Sequence, residues 1–364
     1  MDRRILIIGG GPAGSTAAFL LARGGCEVTL AEQHRFPRDK VCGECLSATG
    51  MEVLTRIGLA GELRTFAPIR FTHTAIHPAQ GPTVRLPLPR PMWGISRARF
   101  DQFLLDAARL AGTRILQPAR CEGIDPGLPP AVRLRMLESN ELTTVQSDCV
   151  LLADGKSALL REPADRTSDF GIKAHFENVD GPRDTIELFG CDGLYGGLAA
   201  VEDGRWNAAF SVPASRLRMH RGNVAELFVE IVGENAVLGG RLAAARRVGP
   251  WLASPLPRFP VRANWPPGVI PIGNGAAALE PIGGEGMGLA LRSAELAAQA
   301  ILRAEDMADV HRLAHDYRRL WRVRRPAWRA AACVASRAEL AGSLVPLLGQ
   351  VPAVARHALR RLGK

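Results

Sequence analysis

Short, mainly apolar runs recur at Ile5–Ile8, Val28–Ala31, Cys149–Leu152 and Val269–Ile272, each followed within two residues by glycine or an acid. Runs of this length with that punctuation predict strands. Between them lie stretches of helical spacing: one after Gly14 with Ala18 and Leu21, one after Phe100 with Leu104, Leu105 and Ala108, and an alanine-rich one after Gly288. Segments 66–96 and 161–264 alternate apolar residues with glycine or proline breaks, as in Tyr195-Gly196-Gly197-Leu198 and Trp206-Asn207-Ala208-Ala209-Phe210. They predict the strands of a mixed sheet. Pro255, Pro257, Pro260, Pro266 and Pro267 mark a connector, and after about residue 300 the spacing is helical again. A chain of 364 residues with this alternation predicts an α/β protein of one large or two closely joined domains.

The first elements form a complete strand–helix–strand unit around Gly9-Gly10-Gly11-Pro12-Ala13-Gly14. Gly9 permits the tight turn, Gly11 lets the backbone approach a pyrophosphate, and Gly14 lets the helix pack against the strand. Pro12 and Ala13 open the helix whose N-terminus would hold the anion. Glu32 closes the second strand, 18 residues after Gly14, where a carboxylate can accept from ribose hydroxyls and disfavours a 2′-phosphate. The unit specifies an adenosine diphosphate and leaves FAD and NAD both open.

Three further segments resemble the flavoproteins of the p-hydroxybenzoate hydroxylase and geranylgeranyl reductase superfamily. Ser96-Arg97-Ala98-Arg99-Phe100-Asp101 is similar to the family's Arg-x-x-Phe-Asp helix start. The resemblance places Arg97 at the flavin diphosphate or ribityl chain. Ala153-Asp154-Gly155-Lys156-Ser157, continuing to Arg161, resembles the family's turn near the pyrophosphate, and implies roles for Asp154 and Gly155. Gly273-Asn274-Gly275 and Pro281-Ile282-Gly283-Gly284-Glu285-Gly286-Met287-Gly288 resemble the segment that faces the ribityl chain and flavin ring. Asn274 stands where relatives carry aspartate, and can still bond a ribityl hydroxyl. Gly284, Gly286, Met287 and Gly288 would offer backbone N–H groups and a helix N-terminus to the ring, an arrangement suited to negative charge on a reduced flavin. The resemblance therefore implies FAD, with NAD(P)H as electron donor. It also implies a GxGxxG-type Rossmann-like domain formed by residues 1–65, 97–160 and 265–310, an inserted mixed-sheet substrate domain (66–96 and 161–264), and C-terminal helices at 311–364. Gln33, Arg35 and Cys121 are grouped with the cofactor-contacting residues.

Arg35 to Ser47 contains Lys40-Val41-Cys42-Gly43-Glu44-Cys45, similar to the Lys-x-Cys-Gly-Glu/Gly segment that lies beside the flavin ring in geranylgeranyl-reductase-like proteins. Cys42 and Gly43 are thus candidate flavin neighbours, and Cys42 and Glu44 candidate catalytic residues. The formal CxxC has no second ligand pair at zinc spacing, so no metal is expected. A redox dithiol and a plain tight turn both remain open. The Trp-x-Trp-x-Ile-Pro segment of the halogenases is absent, which disfavours halogenation. The reductases' Tyr-x-Trp-x-Phe-Pro pattern is incomplete at Leu194-Tyr195-Gly196-Gly197-Leu198.

Charge adds one regional feature. The net charge is +10, and residues 311–364 alone hold twelve Arg or Lys against Asp316 and Glu339, which accounts for all of it. Arginines around Leu320, Trp321 and Trp328 predict either a solvated helical face or a dock for an anionic membrane surface or acyl carrier protein. No nucleic-acid reading motif accompanies the charge. Seven scattered cysteines and the lack of a signal-peptide layout predict a cytoplasmic protein, peripheral at the inner membrane face if the dock is used. The function expected is an NAD(P)H-driven monooxygenase acting on a lipophilic or aromatic small molecule of secondary or lipid metabolism. The alternatives are a flavin dehydrogenase or carbon–carbon double-bond reductase, and a scaffold in which FAD is structural.

Overall fold

The computed structural model describes residues 3–155, 159, 169–256, 261, 265–305, 313–322 and 324–350. Ser157, Arg161 and the tail from residue 351 lie outside them.

Five strands form a wholly parallel sheet: β1 (Arg4–Ile8), β2 (Glu27–Ala31), β6 (Arg114–Leu116), β10 (Cys149–Leu152) and β16 (Val269–Pro271), in the order β16-β10-β1-β2-β6. Their near-continuous apolar runs follow from burial on both faces. Ile5, Ile7, Leu30 and Leu151 pack under three helices, α1 (Pro12–Arg23), α4 (Arg97–Leu110) and α8 (Gly286–Arg303). Leu6, Ile8, Val150 and Leu152 point the other way, onto an antiparallel layer of β7 (Ala119–Asp125), β8 (Ala131–Met136) and β9 (Leu142–Gln146).

The second sheet has eight strands in the order β15-β11-β14-β13-β12-β4-β5-β3. They are β3 (Cys45–Leu46), β4 (Ile69–His77), β5 (Val84–Gly94), β11 (Phe170–Glu177), β12 (Thr185–Cys191), β13 (Leu194–Ala200), β14 (Trp206–Val212) and β15 (Arg246–Pro255). Only β4 and β12 pair in parallel; all other neighbours are antiparallel. The expected Rossmann-like domain with a mixed second sheet and C-terminal helices is therefore present. One boundary differs: Cys45–Leu46, within the stretch assigned to the cofactor domain, pairs with β5 and extends the second sheet.

Strand periodicity gives the second sheet two distinct faces. Ile172, Ala174 and Phe176 of β11 and Ala208 and Phe210 of β14 join a core closed by Leu227, Phe228, Ile231 and Leu238. These four come from α6 (Val224–Gly233) and α7 (Ala236–Leu242), which follow α5 (Ala214–Met219). Lys173 and His175 alternate with the apolar residues of β11 and so occupy the opposite face, toward the cofactor domain. Helices α2 (Ala48–Arg56) and α3 (Ala60–Thr65) complete the join between the sheets, and α9 (Leu313–Arg322), α10 (Arg324–Ala335) and α11 (Ala338–Gln350) end the described chain.

Asn235 caps α7 and ties it to the second sheet. Its Oδ1 accepts from the Leu238 N–H at 3.2 Å, and its Nδ2 donates to the carbonyls of His77 and Gly190, both at 3.1 Å. Asn235→Ala removes the cap and leaves two buried carbonyls without this donor, so a loss of about 2–3 kcal/mol is expected in urea unfolding. An unchanged midpoint would show that these bonds are not needed.

Candidate functional site

The three fingerprint glycines are required for different reasons. Gly9 has φ +103°, and a Cβ there would lie 2.5 Å from the Ala153 carbonyl oxygen at the end of β10. A Cβ at Gly14 would collide with the Gly9 carbonyl. At Gly11 the nearest atom to a Cβ would be Nη2 of Arg97, 3.9 Å away, so this position faces open space. Gly11 is also the N-cap of α1 and no side chain caps it, which leaves first-turn N–H groups directed at that space. Buried Glu32 accepts from the N–H of Gly10 and of His34, each at 2.7 Å, and so fixes the turn. Gln33 is exposed. Arg35 pairs at the surface with Glu138, beyond β8.

Arg97 begins α4, which Ser96 caps by accepting from the Arg99 N–H. The buried guanidinium is clamped by Asp101 one turn on, with Nε–Oδ1 2.7 Å and Nη2–Oδ2 2.6 Å. Burial pulls the guanidinium's pKa down, but the Asp101 carboxylate outweighs it and leaves it above its ordinary value. A permanent cation therefore stands beside Gly11. A second stands across the turn: a Cβ at Gly155 (φ +70°) would be 3.1 Å from Nζ of Lys40.

The other predicted segments converge on the same region. A Cβ at Gly275 would lie 2.5 Å from the Leu152 carbonyl and 3.3 Å from Oδ1 of Asp154, while one at Gly273 would be 2.8 Å from the Cβ of Ala13. Asn274 is thus held between the start of α1 and the end of β10. Gly284 is left-handed (φ +63°) and lies under Cys45, whose Cβ would be 3.5 Å from one placed on the glycine. Gly288 abuts Ser47, and the Met287 side chain points into the core, so Met287 can offer only backbone to a ligand. Among the described residues, no atom beyond the adjoining backbone lies within 4 Å of a Cβ built at Gly43 or Gly286. Cys121 is on β7, where burial pushes its thiol up to about 11 and the nearby Asp154 carboxylate adds to the rise.

These features fit FAD. The start of α1 with Arg97, Lys40 and the Asp154 turn suits the diphosphate, the Asn274 turn suits the ribityl chain, and the open faces of Gly43 and Gly286 suit a planar ring.

Glu44 does not suit the catalytic role expected of it. It has φ +57°, a conformation costing about 1–3 kcal/mol outside glycine, and its side chain is 0% exposed. Oε1 accepts from the Arg97 N–H at 2.8 Å and from the Lys173 ammonium, and Oε2 pairs with Nε2 of His175 at 2.7 Å. Burial pushes the carboxyl up, but Lys173 and His175 outweigh it and hold it below its ordinary value. A carboxylate so enclosed is suited to anchoring its neighbours. Asp39 lies 3.4 Å from Lys173 Nζ and 3.9 Å from His175 Nδ1. Asp39, Glu44 and His175 could bracket a metal ion, but the Lys173 ammonium already supplies the positive charge among them. Asn207 completes the join, its Nδ2 donating to the Cys42 carbonyl at 3.0 Å.

Lys173, His175, Asp39 and Asn207 were not among the predicted site residues. The available signal was Lys173 and His175 at alternate positions in an otherwise apolar strand, where a charged side chain needs a buried partner.

The C-terminal helices pack inward. Trp321 and Trp328 are buried, and Tyr317 donates to the Ser293 carbonyl of α8 at 3.0 Å. The Trp328 ring covers Gly283, its Nε1 donates to Glu285 at 3.2 Å, and Arg324 pairs with the same carboxylate at 3.2 Å. Of the aromatic residues expected at a membrane or carrier-protein dock, Trp328 supports the 283–288 loop and Trp321 packs into the core beside Tyr317. No helix among the described residues is long and apolar enough to cross a membrane.

Gly11→Val is expected to leave the melting temperature of the apoprotein within a few degrees of wild type and to abolish FAD binding in a fluorescence titration. Gly14→Val is expected to lose both. Normal FAD affinity in Gly11→Val would contradict this assignment of the turn.

Comparison with known proteins agrees with the geometry. A family model described as an FAD binding domain matches residues 2–180. The menaquinone reductase of Mycolicibacterium smegmatis is 26% identical over 327 residues, covering 81% of this chain and 75% of the relative. A solved flavin-dependent brominase superposes with a TM-score of 0.83 at 17% identity, covering 100% of this chain and 94% of the other. A geranylgeranyl bacteriochlorophyll reductase-like protein from Thermoplasma acidophilum gives 0.78 at 19% identity, covering 99% and 95%. Flavin-dependent halogenases recur among both the relatives and the structures. The chain has the FAD-binding fold shared with flavin-dependent halogenases and is an FAD-dependent oxidoreductase.

Proposed function

We propose that the protein is a flavin-dependent reductase that transfers a hydride derived from NAD(P)H to a carbon–carbon double bond of a lipophilic small molecule. The observation that carries this reading is the construction of the Lys40–Glu44 segment. Its Cys42-Gly43 turn adjoins the 283–288 loop, where a Cβ on Gly284 would lie 3.5 Å from that of Cys45, and the second sheet holds the segment through Asn207 and, by way of Glu44, through Lys173 and His175. That segment is the one resembling the geranylgeranyl reductases, and the likeness to a menaquinone reductase over most of the chain supports a reductase with a lipophilic substrate.

Bound FAD supplies two-electron transfer. The chain's own residues bind and orient. Arg97 and Lys40 neutralise the diphosphate, and the N-terminus of α8 favours negative charge at the ring edge. Trp328 and the C-terminal helices hold the 283–288 loop. In the reduction the alkene gains a hydride at one carbon and a proton from solvent at the other, and the donor leaves as NAD(P)⁺.

Oxygen-dependent chemistry is the second reading, favoured by the brominase-like architecture along the whole chain. Within it, hydroxylation suits the sequence better than halogenation. The halogenase tryptophan pattern is absent, and Trp206 is buried at 2% exposure against Gly181, on the face of the sheet away from the cofactor domain. Turnover with NADPH and a panel of prenylated quinones and polyprenyl alkenes, with and without oxygen, separates the readings. Reduction predicts anaerobic product two hydrogens heavier, one per NADPH consumed. Product formed only in oxygen would overturn it: ¹⁸O incorporation would establish hydroxylation, and a halide requirement halogenation.

A further inference from the structure

We propose that Lys173 and His175 are positioning residues that act through Glu44 to couple the substrate-domain sheet to the seating of the cofactor. The proposal rests on the assignment of the Cys42-Gly43 turn to the flavin border.

Strand β11 presents both side chains on its face toward the cofactor domain, and both end on one carboxylate, Lys173 at Oε1 and His175 at Oε2. Oε1 of Glu44 also accepts from the backbone N–H of Arg97, the first residue of α4. The same β11 ammonium and α4 amide therefore share one oxygen atom. Arg97 in turn stands beside Gly11, and the residues just before Glu44 form the Cys42-Gly43 turn.

The backbone of Glu44 sits at φ +57° and bonds in both directions along the turn. Its N–H donates to Cys42 Sγ at 3.3 Å, and its carbonyl accepts from Ile95 N–H at 3.1 Å. A non-glycine residue stays left-handed only where its surroundings over-determine it. Here Lys173 and His175 supply that constraint. Without them the carboxylate is a buried charge with one backbone donor left, and the turn can relax toward ordinary φ.

The groups facing Glu44 come from three elements: Lys173 and His175 of β11, Arg97 of α4, and Asp39 of its own loop. Asp39, 41% exposed, is the solvent edge of the cluster. Because Glu44, Lys173 and His175 are all buried, none is placed to exchange a proton with a ligand, so the role is positional.

The test uses the full chain. FAD affinity is measured by fluorescence titration, and iodoacetamide modification of Cys42 in the apoprotein is followed by peptide mass mapping. For Lys173→Met the expected outcomes are a tenfold or greater weakening of FAD binding and a several-fold faster modification of Cys42, with Lys173→Arg restoring most of both. If Lys173→Met does not fold, the neutral pair Glu44→Gln/Lys173→Met takes its place. Because the residues act through one interaction, Glu44→Gln combined with Lys173→Met is expected to be no worse than the more severe single variant. A lowered melting temperature with FAD affinity and Cys42 modification within twofold of wild type would overturn the proposal, as would strictly additive effects. A faster Cys42 reaction with unchanged FAD affinity would show that Glu44 holds the turn but that the turn does not border the cofactor.

Discussion

The arrangement of the site depends on one buried carboxylate. Glu44 is enclosed where the two sheets meet, and a buried anion persists only when paired and hydrogen-bonded. Its partners come from both sides of the join: an ammonium and an imidazole from β11, and a backbone amide from α4. Removing one partner from such a cluster costs about 3–5 kcal/mol, so the two sheets are held in register by a strong and directional constraint. Apolar packing alone would tolerate small slips between them. A shared carboxylate does not, because each bond fixes an angle as well as a distance.

A chain of contacts runs outward from that point. Arg97, whose amide Glu44 holds, is clamped by Asp101 and stands over the glycine turn. The turn is fixed by Glu32 from the second strand and by close approach to the end of β10. On the other side, the 283–288 loop is braced by Trp328 and Arg324 through Glu285. The C-terminal helices thus have a constructive role at the site, and among the described residues Arg318, Arg319, Arg322 and Arg329 form the exposed side of elements whose aromatic side is internal.

The parallel sheet and its glycine turn were legible in the sequence because their signals are local. A strand, three spaced glycines and a terminal acid fall within about thirty residues, and each glycine has a steric reason to be there. The second sheet was legible as alternation but not as topology, since β4 pairs with β12 more than 100 residues away. Glu44 was noticed as a candidate catalytic carboxylate, but its enclosure by Lys173, His175 and the Arg97 N–H was not legible from its own loop. Lys173 and His175 could have been flagged as polar residues in an apolar strand, yet nothing local says which loop answers them. The sequence left the setting of Trp321 and Trp328 open for a related reason, because an amphipathic helix looks the same whether its apolar face meets lipid or its own protein.

A crystal structure of the FAD complex tests the account most directly. The predicted result is an isoalloxazine ring bordered by the backbones of Gly43 and Gly286, the diphosphate between Gly11 and Arg97, and Glu44 still buried on Lys173, His175 and the Arg97 amide. A ring bound elsewhere, or Glu44 released from β11 and turned into contact with the flavin, would contradict it.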